Sequence, residues 1–167
     1  VHMRFEAFSA LAYGAQGIQY FTYWQPSSAR WNFHHAPIDE TGRRTNVYYL
    51  VKDLNREIQD LSWVFLGAQV EAVGHTGESI PATSVRFASY PHEIRSVESD
   101  GQGVIVSRFV NGDKRFLMIV NRDIDHSQTV FVDKDACVKR VTSDGRIVTD
   151  HDSSAVVGPG DYILYTW

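Results

Sequence analysis

The sequence lacks the residues that would identify a disulfide-stabilised protein or a metal protein. Its 167 residues contain one cysteine, Cys137, which excludes an internal disulfide and offers no cysteine spacing for a metal site. The adjacent histidines His34 and His35 point apart in an extended chain and have no partner four residues away. We therefore expect neither a metal nor a cofactor. Cysteine usage leaves the compartment open among the cytoplasm, the periplasm and the extracellular space.

Long apolar runs and concentrated charge are missing as well. The formal net charge is −4 and the charged residues are scattered, so no basic stripe indicates a nucleic-acid partner. No apolar run approaches the roughly 18 residues that a membrane-spanning helix needs, so we expect no membrane partner. Aromatic residues are plentiful at 13%, which suits flat sugar ligands and aromatic cores equally well.

Residues 18–24 form the most distinctive stretch of the chain. All seven are aromatic or β-branched except Gln19, and they lie between the glycines Gly14 and Gly17 and a turn at residues 25–28. Polar and apolar residues hardly alternate, which is typical of a strand covered on both faces, as in parallel α/β sheets. We therefore predict a buried strand here, although one strand cannot make a parallel sheet.

Helical patterns flank this predicted strand on both sides. Phe5, Phe8 and Leu11 recur at helical spacing and predict a helix over residues 4–13, ended by Gly14. The second pattern predicts a longer helix over residues 46–66, begun by Asn46 as N-cap. Its apolar positions recur at three and four residues through five turns: Val47, Leu50, Val51, Leu54, Ile58, Leu61 and Phe65.

The pattern changes to β-structure after Gly67. Short alternating segments occur at residues 84–88, 103–110, 115–121, 129–132, 137–142, 146–150 and 162–167, with turn residues between them. This spacing predicts an antiparallel sandwich with the two helices packed beside it. The predicted fold is α+β, with a helix–strand–helix unit over residues 1–67 and an all-β domain over residues 68–167.

Several motifs resemble the end of a (β/α)8-barrel glycoside hydrolase, in particular the bacterial β-galactosidase-like enzymes of family 42 and relatives. They are Arg-Phe-Glu-Ala-Phe at residues 4–8, Tyr-Gly-Ala-Gln-Gly-Ile at 13–18, Phe-Thr-Tyr-Trp at 21–24 and Ala-Pro-Ile-Asp at 36–39. Residues 116–123 are similar to the all-β domain that follows such barrels. The resemblance implies a partial barrel, its last helix–strand–helix, followed by the C-terminal β-sandwich domain.

The resemblance also implies which parts of the site this chain carries. The acid/base and nucleophilic glutamates of the family would lie upstream of Val1, and Asp39 and Glu40 match neither position, so we expect no catalytic residue here. Trp24 matches the tryptophan that forms the floor of the sugar subsite, with Tyr23 and Gln25 as polar neighbours and Trp31 in the following loop. The peptide bond after this tryptophan is often cis in such enzymes; we expect Trp24–Gln25 to be trans without the barrel.

Three hypotheses remain open. The chain is the C-terminal portion of a retaining glycoside hydrolase and is inactive alone; it is a stand-alone carbohydrate-binding module that uses the sandwich or the Trp24/Trp31 loop; or its sandwich is a structural or docking domain. Under the first hypothesis, the abrupt start in a helix is expected. The partners are then carbohydrate in the complete enzyme and either a second copy or the missing barrel. A lone retaining site is excluded because it needs two carboxyl groups about 5 Å apart.

Overall fold

A computed structural model describes residues 1–27 and 33–167 and has an α+β fold in which helices precede antiparallel strands. The helices are α1 (His2–Ala12), α2 (Asn46–Asp60) and α3 (Ser62–Phe65). The strands are β1 (Gln69–His75), β2 (Ile94–Ser99), β3 (Val104–Asn111), β4 (Lys114–Asn121), β5 (Gln128–Lys134), β6 (Lys139–Val141), β7 (Ile147–Thr149), β8 (Ser154–Val157) and β9 (Tyr162–Thr166). This order of elements confirms the predicted fold class.

The strands form a sandwich of two antiparallel sheets. One sheet has six strands in the order β1-β3-β4-β9-β6-β7, and the other has three in the order β2-β5-β8. The space between them is filled by side chains from both sheets, including Val97, Val104, Val106, Leu117, Ile119, Val130, Val132 and Ile163. The predicted β-sandwich is therefore confirmed.

The helices cover the outer face of the six-stranded sheet and make it buried on both sides. Successive residues of a strand point to opposite faces. In β4, Phe116, Met118 and Val120 pack on the helices, whereas Leu117 and Ile119 pack between the sheets. On the helix side, the core also contains Phe8, Leu11, Leu54, Val64 and Phe65. The helices therefore pack beside the sandwich as predicted, and this two-sided burial explains the unbroken apolar run of β4.

Polar contacts also tie the helices to the sheet. The Arg4 guanidinium donates to both carboxylate oxygens of Glu57 on α2, at 2.6 and 3.2 Å, and to Asp161 Oδ1 at 2.8 Å. Tyr162 Oη donates to Glu57 Oε1 at 2.8 Å. The buried hydroxyl of Ser107 donates to the carbonyl of Ala12 at the end of α1, at 2.6 Å. These hydrogen bonds join α1, α2 and the six-stranded sheet, which are distant from one another in sequence.

The predicted strand over residues 18–24 is wrong for the part of the chain that the structure describes. The segment contains no β-ladder, and its one strand-like contact is an isolated parallel bridge between Trp24 and Ile38. Phe21, Tyr23 and Trp24 are exposed, although burial on both faces was expected. The physical reason is that the backbone N–H and C=O groups of a strand need neighbouring strands, and none of the strands in residues 1–27 and 33–167 lies beside the segment.

Several element boundaries differ from the sequence predictions. Thr45 rather than Asn46 is the N-cap of α2, and the predicted helix is divided at Leu61 into α2 and α3. Residues 84–88 make only a bridge from Arg86 to His75 rather than a strand. Strands β1, β2 and β8 were not among the predicted segments. In β1 and β2 a register shift breaks the alternation that would have marked them.

Candidate functional site

The loop after segment 18–24 is held by Asp39, which acts as a structural acceptor. Its Oδ1 accepts hydrogen bonds from the backbone N–H of Thr41 at 2.8 Å and of Arg43 at 2.9 Å, and from the Thr41 hydroxyl at 2.7 Å. The bond from the Arg43 backbone, followed by that from Thr41, holds the pKa of the Asp39 carboxyl below its usual range. A carboxylate engaged in this way fixes a turn and is poorly suited to proton transfer.

Trp24 is fixed by backbone hydrogen bonds on both sides. The N–H of Ile38 donates to the carbonyl of Tyr23 at 3.0 Å, and the N–H of Gln25 donates to the carbonyl of Ile38 at 2.8 Å. The Thr22 hydroxyl donates to the Trp24 carbonyl at 2.6 Å. The backbone around the tryptophan is therefore held without any contribution from a sheet.

The side chains of this part form an open aromatic surface. Trp24 is 51% exposed, Tyr23 63% and Phe21 87%, and the Phe21 ring meets the Phe33 ring edge to face at a centroid distance of 6.1 Å. An exposed indole or phenol ring can stack on the C–H face of a pyranose, and its neighbours can bind hydroxyl groups. Such an open arrangement allows stacking on one face of a ligand, whereas it does not enclose a small molecule.

Gln25 supplies the polar neighbour that the sequence predicted. Its side-chain Nε2 donates to Glu40 Oε1 at 3.1 Å and lies 3.2 Å from His34 Nδ1. This amide is thus oriented by two partners beside the aromatic side chains, and it brings Glu40 and His34 to the same place. These three residues are up to 15 positions apart in the sequence, and no local pattern predicted their contact.

A cavity of about 320 Å³ lies behind the aromatic side chains, between segment 18–24 and α2. Its lining combines apolar groups with a carboxylate and imidazoles: Met3, Glu6, Gln19, Tyr20, Phe21, Thr22, Phe33, His34, His35, Ala36, Pro37, Val47 and Val51. Tyr20 is anchored there by donating its hydroxyl to Asn55 Oδ1 at 2.9 Å, and burial raises the pKa of its phenol. Trp24 does not line this cavity.

The remaining predicted site features have different outcomes. Trp31 lies outside the described residues. The Trp24–Gln25 peptide bond is not cis, whereas Phe21–Thr22 is cis. In the described ranges, no group of three His, Cys, Asp or Glu side chains could hold a metal ion. None of the helices in those ranges is long and apolar enough to cross a membrane.

Sequence reasoning missed the Arg4 cluster, made of Arg4, Glu57, Asp161 and Tyr162. Burial lowers the pKa of Arg4, but the hydrogen bonds to Glu57 and Asp161 outweigh burial and raise it overall. Burial and the Glu57 charge raise the pKa of Tyr162. The cluster borders a cavity of about 540 Å³ that is lined mainly by residues of β6, β7 and β9, with Arg4 of α1 and Glu57 of α2 at one side. The one available signal was the sequence Gly-Pro-Gly-Asp-Tyr, which fixes the start of β9.

The comparison with protein families relates the first part of the chain to sugar-cleaving enzymes. The model of glycoside hydrolase family 42, described as beta-galactosidase, matches residues 2–61. The matched range contains α1, segment 18–24 and α2, and it ends before β1. It supports a glycoside hydrolase-like origin for these residues. No curated protein and no solved structure matches the chain.

Proposed function

We propose that this chain is the C-terminal portion of a β-galactosidase-like glycoside hydrolase. Residues 1–67 supply the terminal helix–strand–helix of a (β/α)8 barrel, and residues 68–167 supply the β-sandwich domain that follows it. The observation that carries the proposal is the uncovered state of segment 18–24 inside a range that matches a β-galactosidase family. A buried strand of this composition needs neighbouring strands to pair with its backbone and other elements to cover its two faces.

Helix α2 supports the same proposal. Its apolar stripe is buried at the end near the sandwich, where Leu54 is 3% exposed, but only partly covered at the other end, where Leu50 is 61% exposed while Val47 and Val51 line the 320 Å³ cavity. A barrel helix needs its apolar stripe against the barrel strands. The partly covered half is the half nearest segment 18–24 in sequence.

Trp24 is the proposed floor of a sugar subsite in the complete enzyme. Tyr23 and Gln25 provide polar contacts beside it, and Trp31 remains a further proposed sugar-binding residue. Loops at the carboxyl ends of barrel strands hold the active sites of such folds. Stacking on the indole would orient the ring of the sugar, while the Gln25 amide would contact its hydroxyl groups.

In this proposal, the two catalytic carboxyl groups lie in the part of the enzyme upstream of Val1. Asp39 accepts backbone hydrogen bonds in a turn, and Glu40 is held by Gln25. A retaining mechanism needs a nucleophile and an acid/base about 5 Å apart across the sugar. We therefore expect the 167 residues alone to hydrolyse no aryl β-galactoside above background. Turnover lost on changing Asp39 or Glu40 to the amide would contradict this.

The experiment that tests the proposal begins with the coding DNA upstream of Val1. We expect it to encode further barrel strands with a glutamate after two of them. The longer protein should cleave an aryl β-galactoside, and Trp24→Ala should raise KM by about tenfold through lost stacking. Phe131→Ala, which removes a 47% exposed aromatic residue from the sandwich, is the control. An upstream sequence without such strands would overturn the proposal.

Association is a further part of the proposal. The exposed apolar residues Phe21, Tyr49 and Leu50 form a surface that we expect another protein surface to bury. In the complete enzyme this is the rest of the barrel, and for the chain alone it is a second copy. We expect sedimentation to show dimers or larger species at high concentration, and Leu50→Glu to shift them toward monomer. A clean monomer at the same concentration would contradict this part alone.

A second function is favoured by the open pair of Tyr23 and Trp24, which a free carbohydrate-binding module would also present. In that case the isolated chain binds sugar without any barrel. A glycan array with Trp24→Ala as the matched variant separates the two functions, because the C-terminal portion of an enzyme needs the rest of its subsite to bind. Retained binding by the isolated chain, lost in the variant, would favour the module.

A further inference from the structure

Three basic residues lie at one end of the six-stranded sheet. His75 ends β1 and pairs with Ile105, which pairs in turn with Val120, so these residues point to the same face. Arg122 follows the end of β4, and its Nη2 donates to the carbonyl of Gln102. Arg86 forms a backbone bridge with His75. Two arginines and a histidine therefore lie close together at this end of the sheet.

Neither arginine has a carboxylate partner in residues 1–27 and 33–167. Arg4 and Arg95 each form ion pairs with two carboxylates, but no ion pair within 4.0 Å involves Arg86 or Arg122. Arg86 instead donates to the carbonyls of Gly77 at 2.5 Å and Glu78 at 3.2 Å. Two cationic groups close together without a counter-charge leave an excess of positive potential.

The hydrogen-bonding capacity of Arg122 is not used up by the protein. Its Nη2 donates to the carbonyls of Ser79 and Gln102, while its Nε is buried and has no protein acceptor. Burial and the nearby charge of Arg86 lower the pKa of Arg122. A buried donor of a charged group without an acceptor is costly, and an anion is the acceptor that also relieves the charge.

A cavity is available at this arginine. It has a volume of about 480 Å³ and is lined by Glu78, Ser79, Ile80, Pro81, Gly101, Gln102 and Arg122. The Glu78 side chain is exposed and pairs with neither arginine. Gly101 and Gln102 add backbone groups in a turn, a setting in which amides can face an anion. The cavity is large enough for a small oxyanion with several waters.

We propose that this cavity, the Arg122 cavity, binds a small oxyanion through the Arg122 guanidinium, with Arg86 supplying further positive charge. The shared chemistry is a planar or tetrahedral group with two or more oxygen acceptors, namely a carboxylate, sulfate or phosphate. Burial, and then the charge of Arg122, lowers the pKa of His75, whose Nε2 lies 3.0 Å from the Tyr13 hydroxyl of α1's C-terminal end, so that His75 responds to a charge bound at Arg122. The site is separate from the proposed sugar surface.

Inorganic phosphate, sulfate and acetate are the probes for the test. Each is titrated at constant ionic strength, with sodium chloride as balance, while binding is followed by calorimetry and by backbone amide shifts of wild-type protein. We expect saturable binding with the largest shifts at residues 77–81 and 101–103. Arg122→Gln should weaken it about tenfold or more, since a charge-assisted pair is lost. Arg95→Gln, at an exposed arginine already paired with two carboxylates, should not.

A second readout does not depend on the variant folding. Bound anion stabilises the protonated imidazole, so the pKa of His75 should rise when phosphate replaces chloride in wild-type protein. The imidazole proton shifts of His75 and of the exposed His126 are followed together, with His126 as internal control. Equal response of both histidines, absence of saturation, or unchanged affinity in Arg122→Gln would overturn the proposal. A preference for acetate over phosphate would identify the ligand as a carboxylate.

Discussion

Segment 18–24 and strand β9 are similar in sequence but opposite in burial. Segment 18–24 reads Ile-Gln-Tyr-Phe-Thr-Tyr-Trp, and β9 reads Tyr-Ile-Leu-Tyr-Thr. Every residue of β9 is buried, whereas Phe21, Tyr23 and Trp24 are exposed. β9 lies between β4 and β6 and has helices on one face and the second sheet on the other.

The difference shows that burial of an aromatic strand depends on its neighbours and only partly on its own sequence. The backbone of β9 is paired on both edges, and its side chains fill two cores. Segment 18–24 has the composition for the same environment, but among the described residues it pairs only at the bridge to Ile38. The same composition therefore stabilises the fold in one place and leaves an open surface in the other.

The comparison is tested most directly by removing one large apolar side chain from each stretch. Leu164→Ala in β9 should lower the free energy of unfolding by about 2–5 kcal/mol, because it leaves a cavity in a closed core. Phe21→Ala should change it by less than about 0.5 kcal/mol, because that ring is already in solvent. Urea unfolding followed by circular dichroism measures both. Similar losses for the two variants would show that segment 18–24 is covered in solution.

The Arg4 cluster tests how firmly the family-matched part is joined to the sandwich. Arg4→Met should cost about 2–3 kcal/mol, because it leaves the half-buried carboxylate of Glu57 without its main partner. Arg95→Met, at an arginine with two exposed carboxylate partners, should cost clearly less than Arg4→Met. Thermal and urea unfolding of both variants gives the comparison. If the two costs are equal, the cluster is a surface feature only.

A pair of turn glycines tests the contact between the β6–β7 hairpin and the end of α2. Gly145 and Gly112 both have positive φ, 77° and 60°, so alanine is strained at either. At Gly145 a Cβ would also lie 2.4 Å from the Asp60 carbonyl oxygen, whereas at Gly112 it meets nothing within 4 Å. Gly145→Ala should therefore cost about 1–2 kcal/mol more than Gly112→Ala in urea unfolding. Equal costs would mean that the hairpin does not touch α2.

The smallest effect concerns pH. Burial, and then the charge of Arg122, lowers the pKa of His75 below its ordinary 6.5. The unfolded chain therefore binds this proton more readily than the folded protein does. The contribution of neutral His75 to the free energy of unfolding is complete above pH 6.5 and is lost as pH falls toward the lowered pKa of the folded state. His75→Gln should flatten this part of the stability profile. A profile unchanged by His75→Gln would contradict the predicted direction.

Local patterns predicted the parts of the fold whose partners lie in this chain. The apolar spacing of α2 and the apolar segments and turns around β3, β4 and β5 were sufficient, because each is stabilised by neighbours that the sequence supplies. Segment 18–24 was misjudged because its apolar run predicted a strand covered on both faces, whereas among the described residues it pairs only at the bridge to Ile38. Strand β8, four residues long with three exposed or half-buried positions, carried too little signal.

The candidate site was only partly predictable. Residue types and the family resemblance predicted Tyr23, Trp24 and Gln25 as sugar-binding residues, and this remains a prediction. The contact of Gln25 with Glu40 and His34 depends on the loop geometry that the Ile38 bridges impose. The Arg4 cluster joins residues up to 157 positions apart, which no local pattern can reveal.

The separate anchoring of the two helices has a consequence for how the chain behaves when its backbone is broken. Helix α1 is held by Phe8 and by the Ser107–Ala12 hydrogen bond, and α2 is held by Leu54 and Glu57. A protease that cuts between the two helices breaks neither of these anchors. A nick there would leave α1 bound to the sheet without a covalent link, so the two pieces would migrate together until denatured.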